Sequence, residues 1–262
     1  MQRVHLFEFT DQHWYPAVFR RIQTDYLHFV VTRGAGHQNL IPLFARALQQ
    51  AGTMDILDLC SGGAGPWRHL RQQLVQAGLP VKVTLTDKYP NPDALRKWSE
   101  SSQEGIKYLP EPVDAMCIPS HLMGMRTMFE GFHHFKPEQA RLILLDAAEK
   151  RVAIGIFEAS LMPPQGPFIF LLSPLMTLLG YLFVTPFIQP RTWSRFIWTY
   201  LLPLVPMATC WDGLVSFMRV YSPRDLKELT RSLRQEDYIW EIGQASTGTP
   251  LFVFTYLLGY PV

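Results

Sequence analysis

The chain has 262 residues and a formal net charge of +2, so its bulk charge does not favour nucleic acid as a partner. Hydrophobic residues make up 48% and charged residues only 18%, which is lean for a soluble domain. Three cysteines, Cys60, Cys117 and Cys210, form no CxxC pair, which argues against a disulfide framework and a zinc site. We therefore expect a reducing cytoplasmic compartment, and residues 1–16 lack the apolar core of a signal peptide.

Apolar periodicity predicts that helices and strands alternate along the first 160 residues. Helical spacing covers most of residues 15–50, and it returns at residues 67–76, 93–101 and 138–151. Short apolar or β-branched runs predict strands at residues 55–59, 81–86, 106–109, 125–132 and 152–157. This alternation predicts an α/β fold with an open, mostly parallel sheet and helices on both faces. Ligands of such sheets bind at the carboxyl ends of the strands.

A glycine-rich turn follows the first predicted strand, in the stretch Asp58-Leu-Cys-Ser-Gly-Gly-Ala-Gly65. Such a turn lets the backbone approach a ligand, and its N–H groups can meet polar or negative groups. The stretch matches neither GxGxxG nor a P-loop, which makes phosphate binding less favoured. Asp87 ends the second predicted strand, where a carboxylate can accept both ribose hydroxyl protons of an adenosine. Val113-Asp114-Ala115 follows the third, where a polar group beside a small residue suits an adenine edge.

These three stretches, in this order and at these gaps, resemble the first three motifs of class I S-adenosylmethionine-dependent methyltransferases. The resemblance covers residues 50–160 and, more loosely, 212–262. It implies a Rossmann-like seven-stranded sheet with an antiparallel last strand, with residues 238–242 and 251–256 as strands six and seven. It also implies S-adenosylmethionine as the cofactor, with these binding residues: Asp58, Ser61, Gly62, Gly63, Gly65, Asp87, Lys88, Asp114, Ala115 and Glu130. Cys60 stands where the family's motif normally has its first glycine.

Two consecutive histidines, His133 and His134, follow the fourth predicted strand, and in this fold that position faces the transferred methyl group. Imidazole has an ordinary pKa of about 6.5, so either histidine is a candidate catalytic base at neutral pH. The alternative is a structural role, with one histidine capping a helix or bonding a carbonyl. Glu130 could orient a histidine, and Glu158, at the same rim, is a candidate substrate-binding residue. No Asn/Asp-Pro-Pro-aromatic motif follows this strand, which argues against a nucleobase as acceptor; the only Pro-Pro is Pro163-Pro164.

A long uncharged segment follows the fifth predicted strand. Residues 159–190 contain no charge, and residues 167–188, about 22 in number, are long enough to cross a bilayer. Arg191 and Arg195 separate them from a second uncharged run at residues 196–211, and aromatic residues cluster at the ends of both runs. Three interpretations are open: a two-span hairpin, a buried lid over a lipophilic pocket or at a dimer face, or a monotopic element in one leaflet. Arginines at the tip of a hairpin would contradict the positive-inside rule, which argues against full spanning.

These patterns divide the chain into an N-terminal helical segment (1–50), a methyltransferase domain (51–160 and 212–262) and an apolar helical insertion (161–211). An insertion after the fifth strand emerges at the edge that carries the glycine turn, so an apolar lid there implies an apolar substrate. Trp211 and Asp212 are candidate substrate-binding residues, although we expect Asp212 to pair with Arg219. Ser222 and Pro223 are typical of a capped helix start.

The resemblance implies an S-adenosylmethionine-dependent methyltransferase. Together with the apolar segment it predicts a cytoplasmic, membrane-associated enzyme whose substrate is a lipophilic small molecule or lipid. We rank O-methylation with a histidine base first, and N- or C-methylation of a hydrophobic metabolite second. We expect neither a metal ion nor nucleic acid to take part, and the sequence leaves the oligomeric state open. The alternative is a methyltransferase-like protein that binds the cofactor without turnover.

Overall fold

The computed structural model describes residues 3–33, 36–100, 105–161, 166–233 and 237–262. Its centre is one sheet of seven strands, which are β1 Asp55–Leu59, β2 Lys82–Leu85, β3 Ile106–Tyr108, β4 Met125–Phe129, β5 Ile154–Leu161, β6 Tyr238–Ser246 and β7 Phe252–Pro261. The strands lie in the order β3-β2-β1-β4-β5-β7-β6. The first five are parallel, and β7 runs antiparallel to both β5 and β6. The predicted seven-stranded sheet and its antiparallel last strand are therefore confirmed.

Nine α-helices surround the sheet within the described residues. They are α1 Ala17–Arg33, α2 Ile41–Ala51, α3 Trp67–Gln76, α4 Pro92–Glu100, α5 Pro137–Glu149, α6 Gly166–Val184, α7 Trp193–Phe196, α8 Leu204–Arg219 and α9 Pro223–Arg231. Alternate residues of a strand face opposite sides of a sheet, so Ile56 and Leu57 of β1 belong to different apolar clusters. Side chains of α2, α3 and α4 complete the cluster around Ile56, and those of α5 and α9 complete the cluster around Leu57. Helices therefore cover both faces, as predicted.

Two strand ends differ from the sequence prediction, each for a local reason. Strand β4 ends at Phe129, three residues before the predicted end at 132. There Glu130 adopts a left-handed backbone (φ +50°), and Phe132–His134 form a 3₁₀ helix. Strand β5 continues to Leu161, past the predicted end at 157, because its antiparallel partner β7 pairs with it as far as Phe252. Both differences lie at the sheet edge that carries the candidate site.

A third apolar cluster joins the N-terminal helix to the apolar segment. Ile22 and Tyr26 of α1 pack with Tyr181 of α6 and Val205 of α8, and the rings of Tyr26 and Tyr181 stack at 3.8 Å. Helix α8 runs through the boundary at residue 211 that the sequence placed between insertion and domain. The predicted helix start at Ser222 is confirmed: its hydroxyl accepts from the backbone N–H of Asp225. The proline pair at 163–164 lies outside the described residues.

Large apolar side chains of the segment are exposed in the monomer. Leu171 is 75% exposed, Leu201 74% and Trp193 84%. Within the described residues, Gly166–Phe187 is long and apolar enough to cross a membrane, and a second apolar pair, Trp193–Leu201 with Leu204–Arg219, bends by 73°. We call this exposed surface of α6, α7 and the start of α8 the apolar face. The other described residues of the chain do not cover this face.

Candidate active site

The glycine turn after β1 is formed by a run of left-handed residues. Cys60, Gly62, Ala64 and Gly65 have φ values of +55°, +49°, +83° and +46°. Glycine adopts this conformation freely, whereas an L-residue there costs about 1–2 kcal/mol. Cys60 thus adopts the left-handed conformation of this turn although it carries a side chain, at a position where the family's motif has glycine. Burial raises the pKa of its thiol well above the ordinary value, so Cys60 stays protonated.

Asp58 lies beneath this turn. Its carboxylate accepts hydrogen bonds from the hydroxyls of Ser61 and Thr127, each at 2.6 Å. The side chain is buried, and burial raises its pKa to about 6 against the lowering effect of those two bonds. Of the residues predicted to bind the cofactor, Asp58 and Ser61 therefore fix the conformation of the turn from below.

Asp87 stands beside the turn at the end of β2. One carboxylate oxygen accepts from the backbone N–H of Gly62 and the other from that of Tyr89, both at 2.8 Å. Burial raises its pKa while these two bonds lower it. Lys88 forms a 2.8 Å ion pair with Asp114 after β3, and its side chain is 52% exposed. The predicted carboxylates of β2 and β3 thus lie at one edge together with the turn.

Two further predicted positions of this edge are placed differently. Ala115 is buried and packs its side chain in the apolar cluster beneath the sheet, so only its backbone can meet a ligand. Gly63 faces α1: a Cβ built on it would lie 3.2 Å from the Cβ of His28 and 3.4 Å from Cγ2 of Thr24. Helix α1 therefore lies across the glycine turn, a contact that no local pattern in the sequence indicates.

His133, in the 3₁₀ helix after β4, and Glu158, within β5 just past its parallel pairing with β4, form a buried pair. Nδ1 of His133 lies 2.6 Å from Oε2 of Glu158, and Oε1 of Glu158 accepts from the backbone N–H of Phe132, also at 2.6 Å. The network assigns the proton to Nδ1, which leaves the lone pair on Nε2. Burial opposes ionisation of Glu158, but His133 and the Phe132 N–H hold its pKa below the ordinary value.

Glu130 is the second carboxyl of this corner. Its Oε1 accepts from the backbone N–H of Ala159 at 2.7 Å. Burial and the nearby charge of Glu158 raise its pKa. Two buried carboxyls this close cannot both ionise readily, so Glu130 carries the proton and Glu158 the charge. Glu130 bonds to the strand and not to either histidine, and it can donate a hydrogen bond to a ligand.

His134 has a different environment from its neighbour. Its Nδ1 lies 2.8 Å from Asp11 and 3.4 Å from Glu8. Burial alone would lower its pKa, but the two carboxylates raise it to about 9. The two carboxylates therefore favour the protonated form of His134, which has no lone pair with which to accept a proton. The two predicted bases thus differ in their partners: His133 contacts Glu158, whereas His134 contacts Asp11 and Glu8.

The expected pair between Asp212 and Arg219 is wrong. Asp212 accepts from the backbone N–H groups of Phe9 (2.7 Å) and Thr10 (3.2 Å), and from the side-chain amide of Gln23 (2.9 Å). Both side chains lie on the face of α8 that meets residues 3–12, and those residues supply nearer partners. We call residues 3–12 the N-terminal strap.

Arg219 forms ion pairs with two strap carboxylates, Glu8 at 3.1 Å and Asp11 at 2.6 Å. The indole N–H of Trp211 donates to the strap carbonyl of Phe7 at 3.0 Å. The two predicted substrate-binding residues, Trp211 and Asp212, thus hold the strap. Sequence reasoning missed the strap's own site residues, because isolated acidic residues near a terminus give no signal.

Among the described residues, two groups of side chains have the composition and spacing to hold a metal ion. The donor atoms of Glu8, His133 and His134 lie within 4.8 Å of one another, and so do those of Glu130, His133 and Glu158. In the first group a protonated histidine and the nearby Arg219 already balance the carboxylate charge. In the second, His133 and Glu158 are bonded to each other. Both groups therefore fit an ion-pair and hydrogen-bond network better than a metal centre.

No protein-family model matches the chain, and no curated protein matches it. Solved structures do match. Human N-acetylserotonin methyltransferase, solved in complex with SAM, is 14% identical with a TM-score of 0.50, over 93% of this chain and 55% of that one. A SAM-dependent methyltransferase from Aquifex aeolicus is 13% identical, with a TM-score of 0.44, over 83% and 87% of the two chains. Magnesium protoporphyrin IX methyltransferase from Synechocystis, with bound SAM, is 12% identical, with a TM-score of 0.42, over 87% and 80%.

The chain has the Rossmann-like fold of class I S-adenosylmethionine-dependent methyltransferases. The likeness to the human enzyme and the strand order β3-β2-β1-β4-β5-β7-β6 agree on this point. This chain covers only 55% of the human enzyme's length. The fold implied by the sequence motifs is therefore confirmed.

Proposed function

We propose that the chain is an S-adenosylmethionine-dependent methyltransferase that O-methylates a lipophilic small molecule or lipid, with His133 as the catalytic base. The observation that carries the proposal is the position of two groups at one edge of the sheet. The glycine turn and Asp87 follow β1 and β2, His133 follows β4, and Glu158 lies within β5 beside it. In open α/β sheets this edge is where ligands bind. The matched human enzyme and its bound SAM also support the proposal.

The residues at this edge fit S-adenosylmethionine. The turn is left-handed at Gly62 and Gly65, where backbone can approach a ligand without side-chain obstruction. Asp87 offers a carboxylate to the ribose hydroxyls, and Asp114 offers one to the adenine edge. Glu130, with Lys88 beside the entrance, completes the polar lining. When bound, the cofactor supplies a methyl group activated on a sulfonium.

In this proposal His133 accepts the proton that the acceptor loses. An acceptor hydroxyl gives its proton to Nε2, the nitrogen that carries the lone pair. Glu158 holds the ring through Nδ1 and stabilises the imidazolium that forms, the role a carboxylate has beside a catalytic histidine. The buried position of both side chains excludes water from this transfer.

The apolar face supports a lipophilic acceptor and contact with a membrane. A monomeric soluble protein rarely exposes this many large apolar side chains on one surface unless that surface binds a partner. Helix α8 starts in this face at Leu204 and ends at Arg219, which pairs with Glu8 next to the histidines, so it connects the face with the site over about 24 Å. We propose monotopic contact with one leaflet at the cytoplasmic side, since the bent α7–α8 pair does not form a straight span.

Transfer of label from S-adenosylmethionine to a panel of lipids and hydrophobic metabolites tests the activity, with His133→Gln as the comparison. Calorimetry with S-adenosylmethionine tests binding separately. Binding without transfer to any acceptor would favour the alternative, a cofactor-binding protein without turnover. Absence of binding would contradict both.

A further inference from the structure

The N-terminal strap is fastened to α8 along its length. The backbone N–H of Val4 donates to the carbonyl of Met218 at 3.0 Å, and those of Phe9 and Thr10 donate to Asp212. Trp211 donates to Phe7. These bonds come from one helix and reach both ends of the strap. The strap is therefore held in a fixed position over the histidine pair.

Arg3 connects the strap directly to the backbone of the histidine pair. Its guanidinium donates to the carbonyls of His133 (3.3 Å) and Phe135 (2.9 Å), and its Nε donates to the carbonyl of Arg219 (2.7 Å). It also lies over the ring of Tyr221 at 4.0 Å. The strap thus contacts the turn that presents the histidines as well as their side chains.

Glu8 is the strap residue whose carboxylate lies near both imidazoles. It is 1% exposed, and its carboxylate lies 3.4 Å from Nδ1 of His134 and 4.0 Å from Nε2 of His133. It pairs with Arg219 at 3.1 Å and accepts from the hydroxyl of Ser216, also at 3.1 Å. A buried carboxylate without a cation would cost several kcal/mol, so its partners are a requirement of the fold.

A protonated His134 balances the charges of Glu8, Asp11 and Arg219. Glu8 and Asp11 both face Arg219, which is 2% exposed and carries one positive charge. Two carboxylates and one guanidinium leave one negative charge, and the imidazole of His134 lies next to both carboxylates. The other titratable or charged groups around His134 are His133, Glu158, Asp87 and Arg3, whose guanidinium donates to the carbonyls on either side of His134. The two acids also favour a cation here, whereas Arg3 opposes it.

We propose that the N-terminal strap is part of the catalytic site: Glu8 and Asp11 are positioning residues that hold His134 as a fixed cation, which leaves His133 as the only proton acceptor of the pair. The role of His133 rests on the proposed function, whereas the charge of His134 does not. The two rings lie 4.3 Å apart, so the charge of His134 lies beside the ring that takes the proton in the proposed reaction. Glu158 stabilises the imidazolium that this transfer forms.

Nuclear magnetic resonance titration of the full chain with isotope-labelled histidine tests the charge directly. The chain has eight histidines, and His133→Gln and His134→Gln assign the two signals. We expect His134 to be protonated at neutral pH and to titrate above the ordinary range. Neutral His134 in the wild type at pH 7 would overturn the proposal.

The strap's contribution is tested by Glu8→Gln and by the double variant Glu8→Gln/Asp11→Asn. Each loss of a carboxylate should lower the titration midpoint of His134, and the double variant should lower it by at least about one pH unit. Glu228→Gln, an exposed residue of α9, is the matched control and should leave the midpoint unchanged. A midpoint that stays in place in the double variant would overturn the role of the strap. If the double variant does not fold, Glu8→Gln alone tests the role of the strap, because Asp11 still pairs with Arg219 in that variant.

Rescue by charge separates an electrostatic from a structural role. His134→Lys keeps a cation, whereas His134→Gln keeps a polar group of similar size without charge. We expect His134→Lys to retain at least about tenfold more kcat than His134→Gln, with KM for the cofactor equal in both. Equal kcat in the two variants would overturn the catalytic part of the proposal. If no acceptor is turned over at all, the proposed function fails, while the resonance titration still decides the charge of His134.

Discussion

Nδ1 of His133 and Oε2 of Glu158 lie 2.6 Å apart, and both side chains are almost fully buried. His133 lies in the 3₁₀ helix after β4 and Glu158 lies within β5, and they meet where the parallel pairing of these two strands ends. The carboxylate fixes the ring and its tautomer, so Nε2 is directed away from Glu158. This relationship makes His133, and not its neighbour, the residue on which the proposed reaction depends.

Replacement of His133 by glutamine should lower kcat by about 10²–10⁴-fold, the usual contribution of a general base, with cofactor affinity nearly unchanged. Glu158→Gln should also lower kcat, because the amide no longer stabilises an imidazolium. The loss should be smaller than for His133→Gln, because the amide oxygen still accepts from the N–H of Phe132 and the base itself remains. Steady-state kinetics and calorimetry measure the two quantities separately. Full activity of His133→Gln would contradict the assignment of the base and leave proximity alone to carry the reaction.

Replacement of Asp87 by alanine should weaken S-adenosylmethionine binding by about 1.5–3 kcal/mol, the scale of a hydrogen bond to a charged group. Some of the loss comes from the turn itself, because Asp87 also accepts from Gly62. Calorimetry gives the affinity, and Asp55→Ala is the matched control: Asp55 is an exposed carboxylate at the opposite end of β1. Equal affinity in wild type and Asp87→Ala would show that the cofactor does not use this edge.

The sequence could predict the elements and the sheet edge because these depend on local patterns. The helix at residues 67–76 follows from apolar spacing alone, and its bounds in the structure are the same. The turn and Asp87 could be placed at one edge because parallel strands end together. Asp114 follows the same rule.

The strap and the separation of the two histidines could not be predicted. Glu8 and Arg219 contact each other across more than 200 residues of chain, and no periodicity relates them. The expected Asp212–Arg219 pair failed for the same reason: each residue found its partner in the strap. Adjacent histidines look equivalent in a sequence, and only the partners that the tertiary structure brings to each ring distinguish a base from a cation.

The stability of the protein should depend on the charge of His134 in alkaline solution. Its pKa is raised to about 9, above the ordinary value, so the charged form stabilises the folded state. This contribution is complete below about pH 6.5 and is lost as the pH rises through about 9. The melting temperature of the wild type should therefore fall more steeply between neutral and alkaline pH than that of His134→Gln. Parallel profiles for the two proteins would contradict the ion pairs with Glu8 and Asp11.

In acidic solution the stability should depend on Asp11, and its pH dependence should have the opposite sign. His134 and Arg219 hold the pKa of Asp11 at about 2 although burial would raise it. Its contribution is present above the ordinary carboxyl pKa of about 4 and is lost as the pH falls through about 2. Asp11→Asn should remove this contribution, so its melting temperature should change less than that of the wild type on acidification. Calorimetric scans of both proteins at several acidic pH values provide the comparison.

The apolar face should bind lipid through side chains that are exposed in the monomer. Each large apolar side chain that leaves water contributes about 1.5–3 kcal/mol, and several on one face add to a strong association. Leu171 and Leu175 of α6 are 75% and 55% exposed, so charged substitutions there should not disturb the fold. Leu171→Glu/Leu175→Glu should therefore reduce co-flotation with lipid vesicles while cofactor binding is unchanged.

Leu142→Glu on α5 is the matched control, because Leu142 is 54% exposed, and this variant should float like the wild type. A wild-type protein that stays monomeric without detergent and does not float with vesicles would contradict membrane association. A wild-type dimer that dissociates in the Leu171→Glu/Leu175→Glu variant would assign the apolar face to a second subunit.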